Sequence, residues 1–195
     1  MTDQHPLIGR PIDEADTPAL WIDLDAFENN ASKMLRLCND QQVRWRPHVK
    51  ASKSPDLAHR LIAIGAQGIT CAKVAEAEAM AAGGIDDILV ANEIVGQTKI
   101  ERLVEVAKHV RVGVACDNKN NISEISSIAS SANVNIDILV DINVGANRCG
   151  VSPEEAPTLA RHVDELPGIA LRGLMGYEGH VMGMQPEDKE AASAK

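Results

Sequence analysis

At 195 residues and 45 % apolar, the chain has the size and hydrophobic content of one globular domain. Its net charge of −9, with no lysine or arginine run, argues against a nucleic-acid binder, which usually carries a basic face. No apolar stretch approaches the roughly 20 residues needed to span a bilayer, and Cys38, Cys71, Cys116 and Cys149 form neither a C-x-x-C pair nor a zinc or disulfide spacing.

The N-terminus, Met1-Thr2-Asp3-Gln4-His5-Pro6, lacks the basic and apolar regions of a signal peptide. A reduced, cytoplasmic protein is expected. Aromatic residues make up only 2 %, so the core must be built from Ile, Leu, Val and Ala. That composition suits layers of strand and helix.

Residues 1–16 read as an irregular lead-in, with Pro6, Gly9 and Pro11. Residues 17–24 alternate loosely and predict a strand. Asp25 is placed to cap the helix that follows, where Ala31, Met34, Leu35 and Cys38 share one face. From Val43 a unit repeats: a short apolar run, a polar turn, then an amphipathic helix. The first run covers 43–49. Ser54 caps its helix, with Pro55 in the first turn, Leu57, Leu61 and Ile62 on the inner face, and Gly65 at the end.

Further runs are predicted at 68–72, 87–91, 110–115, 136–142 and 170–177. The helix after the third carries Ile100, Leu103, Val104 and Ala107 at helical spacing, and the next carries Ile122, Ile125 and Ile128. Ser152-Pro153-Glu154-Glu155 has a capping-box pattern, with Pro157 predicting an irregular first turn.

Apolar strands alternating with helices indicate βαβ units and a parallel sheet covered on both faces. Two closures fit: a doubly wound open sheet or a (β/α)8 barrel. No G-x-G-x-x-G or P-loop follows any strand, which favours the barrel. A barrel needs eight strands. Six units are counted, so the front part of a longer barrel is expected, against a complete six-stranded domain as the alternative. Alone, such a piece exposes its last strand and is expected to be poorly soluble or to need a partner segment.

Ligands of α/β folds bind at the carboxyl ends of the strands. The predicted strand ends gather His48 and Lys50, Lys73, Asn92-Glu93, Asp117, then Asp141 and Asn143 through to Arg148, and Tyr177-Glu178-Gly179-His180. From position alone, Lys50 and Lys53 are either solvated loop lysines or a covalent anchor for a carbonyl cofactor.

Three stretches together are specific. Arg46-Pro47-His48-Val49-Lys50, Asp141-Ile142-Asn143-Val144-Gly145-Ala146-Asn147-Arg148-Cys149-Gly150-Val151 and Gly173-Leu174-Met175-Gly176-Tyr177-Glu178-Gly179-His180 resemble motifs of one family. It is the pyridoxal-phosphate family of D-threonine aldolase, D-serine dehydratase and 3-hydroxyaspartate aldolase, within the alanine-racemase fold type. The resemblance covers residues 12–185, and 17–25 resemble that family's first strand.

The resemblance implies an α/β fold: a partial (β/α)8 TIM barrel of the alanine racemase type, with about six βα units, its C-terminal strands and β-domain missing. Residues 1–24 are then the lead-in and first strand, and 25–195 the N-terminal part of the barrel. Lys50 matches the lysine that carries pyridoxal 5'-phosphate as a Schiff base, and Lys53 is the second lysine of the motif. Arg148 matches the arginine that reaches the cofactor's ring oxygen. Tyr177 matches an aromatic residue lining the cofactor, and His180 lies in the same loop. Arg46, His48 and Asp141 are read as structural, Asp141 holding the Arg148 loop.

The implied activity is that of a carbon–carbon lyase acting on D-3-hydroxy amino acids such as D-threonine or 3-hydroxyaspartate, and this chain alone is expected to be inactive. It either breaks Cα–Cβ to give glycine and an aldehyde, or removes the α-proton and expels the hydroxyl. The family implies a divalent metal in the full-length protein, a small amino-acid substrate and a homodimer. No residue here matches the family's metal ligands or its later phosphate-binding elements, so the metal set of this chain is none. Gly183 stands near the place of the aldolase histidine. The alternatives are an amino-acid racemase of the same fold type and a non-catalytic, vestigial cofactor-binding protein.

Overall fold

β-branched runs too short to be helices pair edge to edge in the computed structural model, which describes residues 7–193. The first six residues of the lead-in, together with Ala194 and Lys195, lie outside the described residues. The strands are β1 (Ile69–Cys71), β2 (Asp87–Glu93), β3 (Arg111–Cys116), β4 (Ile136–Ile142) and β5 (Ile169–Gly176). They form one sheet in the order β1-β2-β3-β4-β5, every neighbour pair parallel. An open doubly wound sheet reverses its order at a switch point. Sequential order without reversal is that of a partial barrel.

The pleat sorts residues between two faces. Ile88 and Val90, Val112 and Val114, Ile136, Ile138 and Val140 are buried under the helices. Those helices are α1 (Leu24–Asp40), α2 (Pro55–Ile64), α3 (Val74–Ala82), α4 (Gln97–Ala107), α5 (Lys119–Ser131), α6 (Ala156–Asp164) and α7 (Pro186–Ser193). Ile100 and Leu103 of α4 and Ile122 and Ile125 of α5 have no exposed surface. Each such side chain contributes roughly 1.5–3 kcal/mol on burial. Truncating one to alanine costs about 2–5 kcal/mol, because a cavity remains.

The alternate residues, Asp87, Leu89, Arg111, Gly113, Asp137 and Leu139, line the concave side around a cavity of about 410 Å³. At the amino ends of the strands this side carries alternating charges. Arg46 meets Asp87 at 2.9 Å, Arg111 meets Asp137 at 2.8 Å and lies 3.9 Å from Asp87, and Arg172 reaches Asp137 at 3.4 Å. Arg46 also donates to the Asp87 carbonyl. The structural reading of Arg46 fits, but its side chain runs away from the lysine to the opposite end of the sheet.

Several expectations are corrected. Residues 17–24 form no strand. No neighbouring strand lies beside them to pair with, and Leu20, Trp21 and Ile22 are exposed. The cap of α1 is Asp23, not Asp25: its carboxylate accepts from Ala26 N–H at 2.9 Å. Met34 is exposed, although Ala31 on the expected face is buried.

Residues 43–49 are extended but contribute only the bridge His48–Thr70. Pro47 has no N–H to extend a ladder. The segment is held by Val49 N–H to Thr70 O, Thr70 N–H to Pro47 O and Gln67 N–H to Trp45 O, at 2.8–2.9 Å. Five strands and this bridged segment thus replace the six strands expected.

The cap of α2 follows expectation, with Ser54 Oγ accepting from Leu57 N–H. The Ser152 box is half formed: Ser152 N–H donates to Glu155 at 3.1 Å, and the helix begins later, at Ala156, with Pro157 in its first turn. All four cysteines are free thiols.

Candidate active site

Where 43–49 leaves the sheet, Val49 is fully buried and Lys50 exposed. The chain turns at once: Lys53 N–H donates to Val49 O at 2.8 Å. Lys50 N–H donates to Nδ1 of His48 at 3.2 Å, which leaves the His48 proton on Nε2. Desolvation first, then the Lys50 cation, hold His48 below its ordinary value.

The two lysines of the motif are unlike each other. Lys53 adopts φ 49°, left-handed for a residue with a side chain, and its Nζ lies 4.0 Å from the buried Glu76. Among the described residues, no ion pair engages Lys50.

On the far side of the rim, β4 ends in the Arg148 loop. Asn143 organises it: its Oδ1 accepts from the N–H groups of Gly145 and Asn147, and its Nδ2 donates to Asn147 Oδ1. Gly150 N–H donates to Asp117 at 3.0 Å. Gly150, at φ 97°, packs so closely on Asn143 and Ile142 that a Cβ would strike their backbone. Arg148, so placed, stacks on Tyr177 with Cζ 4.8 Å from the ring centroid.

His180 does not join that pair by any hydrogen bond. Its ring packs on Gly145, where a Cβ would lie 2.9 Å from Nε2, and its buried Nδ1 has no partner. No hydrogen bond or ion pair among the described residues joins Lys50 to Arg148, Tyr177 or His180. They share the rim, not a contact.

Beneath Arg148, Asp141 is 3 % exposed. Burial foremost, then the Glu93 and Asp117 carboxylates, push its carboxyl up to about 7 against the opposing pull of Arg148. Burial and Glu93 likewise raise the Cys149 thiol, with Arg148 opposing. Cys71 and Cys116 are pushed up to about 12, chiefly by burial, which makes both poor nucleophiles.

Reading the sequence put Glu93 at the rim without a role. Alternation along β2 from Asp87 and Leu89 sets Glu93 on the concave face, and the β-bulge between Val90 and Glu93 brings it level with Ala115. The alternation is legible in the sequence; the change of level leaves no signal in residue type.

An anionic carbonyl cofactor would meet here an exposed lysine that makes no ion pair among the described residues, and an arginine held over an aromatic ring. The cleft beside Arg148 holds about 10 Å³, room for no more than a water. Among the described residues, no group of three His, Cys, Asp or Glu side chains is placed to hold a metal ion. The described residues do not fit a metal.

Fold and rim together define a partial (β/α) barrel with a lysine, an arginine and an aromatic residue at the carboxyl ends of its strands. The chain belongs to the alanine racemase N-terminal domain family, which matches residues 22–194. It is 40 % identical over 184 residues to D-threonine aldolase of Arthrobacter sp, covering 94 % of this chain and 48 % of that protein. It is 38 % identical over 189 residues to 3-hydroxy-D-aspartate aldolase of Paracoccus denitrificans (strain Pd 1222), covering 95 % and 49 %. The crystal structure of D-threonine aldolase from Filomicrobium marinum superposes with a TM-score of 0.89 at 43 % identity, over 92 % of this chain and 49 % of that one. The chain thus spans about half the length of these relatives.

Proposed function

We propose that this chain carries the lysine-bearing part of a pyridoxal-phosphate-dependent lyase acting on D-3-hydroxy amino acids such as D-threonine or 3-hydroxyaspartate. The observation that carries the reading is the division of labour between the two lysines. Lys53 is turned toward Glu76, while Lys50 stands at the end of the bridged segment 43–49 and makes no ion pair among the described residues.

In this reading Lys50 Nζ supplies the amine that bonds the carbonyl cofactor, with loss of water. Arg148 donates to the cofactor without losing its charge. Tyr177 holds the guanidinium in place and lines the pocket. His48, neutral and hydrogen-bonded to the Lys50 backbone, fixes the turn from which the lysine projects. The cofactor, when bound, is the electron sink for charge developing at Cα. His180 supports the Arg148 loop through Gly145. The substrate class follows the two aldolases named above, and a small amino-acid substrate suits so shallow a rim. A cytoplasmic location and pairing into a homodimer complete the proposal.

The test is glycine release from D-threonine, or from D-3-hydroxyaspartate, by the full-length protein that carries this chain, given pyridoxal phosphate and a divalent metal. Release that vanishes in Lys50→Ala supports the lyase. Racemisation of an amino acid without glycine release, or cofactor uptake with neither reaction, overturns it in favour of a racemase or a binding protein.

A further inference from the structure

We propose that Glu93 and Asp141 act as one acid that shares a single proton across the concave face, and that this pair positions Arg148 over Tyr177. The proposal deepens the functional reading at the same site. It rests on that reading only for what Arg148 meets.

The geometry comes from three successive strands. Glu93 lies on the concave side by alternation with Asp87 and Leu89, and the bulge in β2 sets it level with Ala115, which pairs in turn with Leu139. Asp141 stands two residues beyond Leu139 on the same face of β4. Asp117 follows the end of β3 between them, but its Oδ2 already accepts from Gly150 N–H. Glu93 Oε1 is buried and has no hydrogen-bond donor. An acceptor left so costs about 1–3 kcal/mol. The neighbours able to give it a hydrogen are the Asp141 carboxyl and the Cys149 thiol.

Two carboxylates at close quarters and out of water do not both ionise. One proton between them satisfies Glu93 Oε1 and leaves the pair with a single negative charge. Arg148, next to both Asp141 and Cys149, is the cation that balances it. When the shared proton leaves, a second negative charge appears beneath the guanidinium and draws it down from the Tyr177 ring.

The titratable groups beside the pair are Cys116 on β3, Asp117 after it, and Arg148 and Cys149 on the loop, with Tyr177 in the same cleft as Asp141. The rise of the Asp141 carboxyl to about 7 agrees with a proton held at neutral pH, with burial its largest cause.

Tyr177 is the sole tyrosine of the chain, so ring-labelled tyrosine gives one set of NMR signals. The protein without added cofactor is titrated from pH 5.5 to 8.5. The Tyr177 signals are expected to shift with a midpoint near 7. Asp141→Asn should abolish that step. Glu93→Gln, which replaces a charge by a neutral amide, should lower the midpoint by at least one pH unit. His180→Asn should leave it in place.

A flat wild-type titration overturns the proposal and needs no variant to fold. So does a midpoint unmoved by Glu93→Gln, or a step that disappears with His180→Asn. Cofactor attachment at Lys50 is read separately, so failure here and failure of the lyase reading are distinguishable.

Discussion

The guanidinium carbon of Arg148 lies 4.8 Å from the centre of the Tyr177 ring, joining two loops that leave different strands. The stack fixes an arginine whose own loop is stabilised mainly by short-range hydrogen bonds from Asn143. Such a contact on a half-exposed surface is worth about 0.5–1 kcal/mol. Tyr177→Phe should keep most of it and Tyr177→Leu should lose it. A double-mutant cycle with Arg148→Met, read by urea denaturation, should return a coupling of that size, and zero coupling would mean the two groups merely pass near each other.

Glu76 holds the turn after β1. Its carboxylate accepts from Ala72 N–H at 2.8 Å, where Lys73, at the start of α3, offers no side-chain cap. Glu76→Ala strands that N–H and should destabilise the chain by about 1–3 kcal/mol. Glu76→Gln keeps an acceptor and should lose less. Thermal unfolding of the two variants separates the hydrogen bond from the charge.

Asp141 makes stability depend on pH. Its carboxyl titrates near 7 in the folded chain against an ordinary value of 3.8. Between those values the folded state keeps a proton that the unfolded chain has released. The contribution is therefore full below about pH 4, falls as pH rises and is lost above about pH 7. Asp141→Asn should remove this slope. Relative to its own difference at pH 4, the variant should gain on the order of 4 kcal/mol over the parent by pH 8. A parent-minus-variant stability that is the same at pH 5 and pH 8 in urea denaturation would contradict the assignment.

Much of the sheet was legible because its strands are short β-branched runs and its helices carry Ile and Leu at helical spacing. The runs predicted at 87–91, 110–115 and 136–142 fall on β2, β3 and β4, and Ile100, Leu103, Ile122 and Ile125 are buried as their spacing demands. The errors have physical causes. Asp23 and Asp25 are both good caps, and only the three-dimensional turn chooses Asp23. The loose alternation of 17–24 resembles a strand, but a strand exists only where a partner supplies hydrogen bonds. Arg46 stands four residues before the lysine, so in an extended segment it lies about 13 Å further back, and its long side chain reaches the amino ends of the strands at Asp87. Position alone left Lys50 and Lys53 alike and the family resemblance chose Lys50; the backbone adds a physical difference, with Lys53 at positive φ beside Glu76.

The central claim is that Lys50 is the covalent anchor, and borohydride trapping tests it most directly. The protein is incubated with pyridoxal phosphate, reduced, digested and mapped by mass spectrometry. The account predicts a reduced pyridoxyl adduct on Lys50, absent in Lys50→Ala, with Lys53 unmodified. Label on Lys53 or another lysine in place of Lys50, or no label at all, would contradict it.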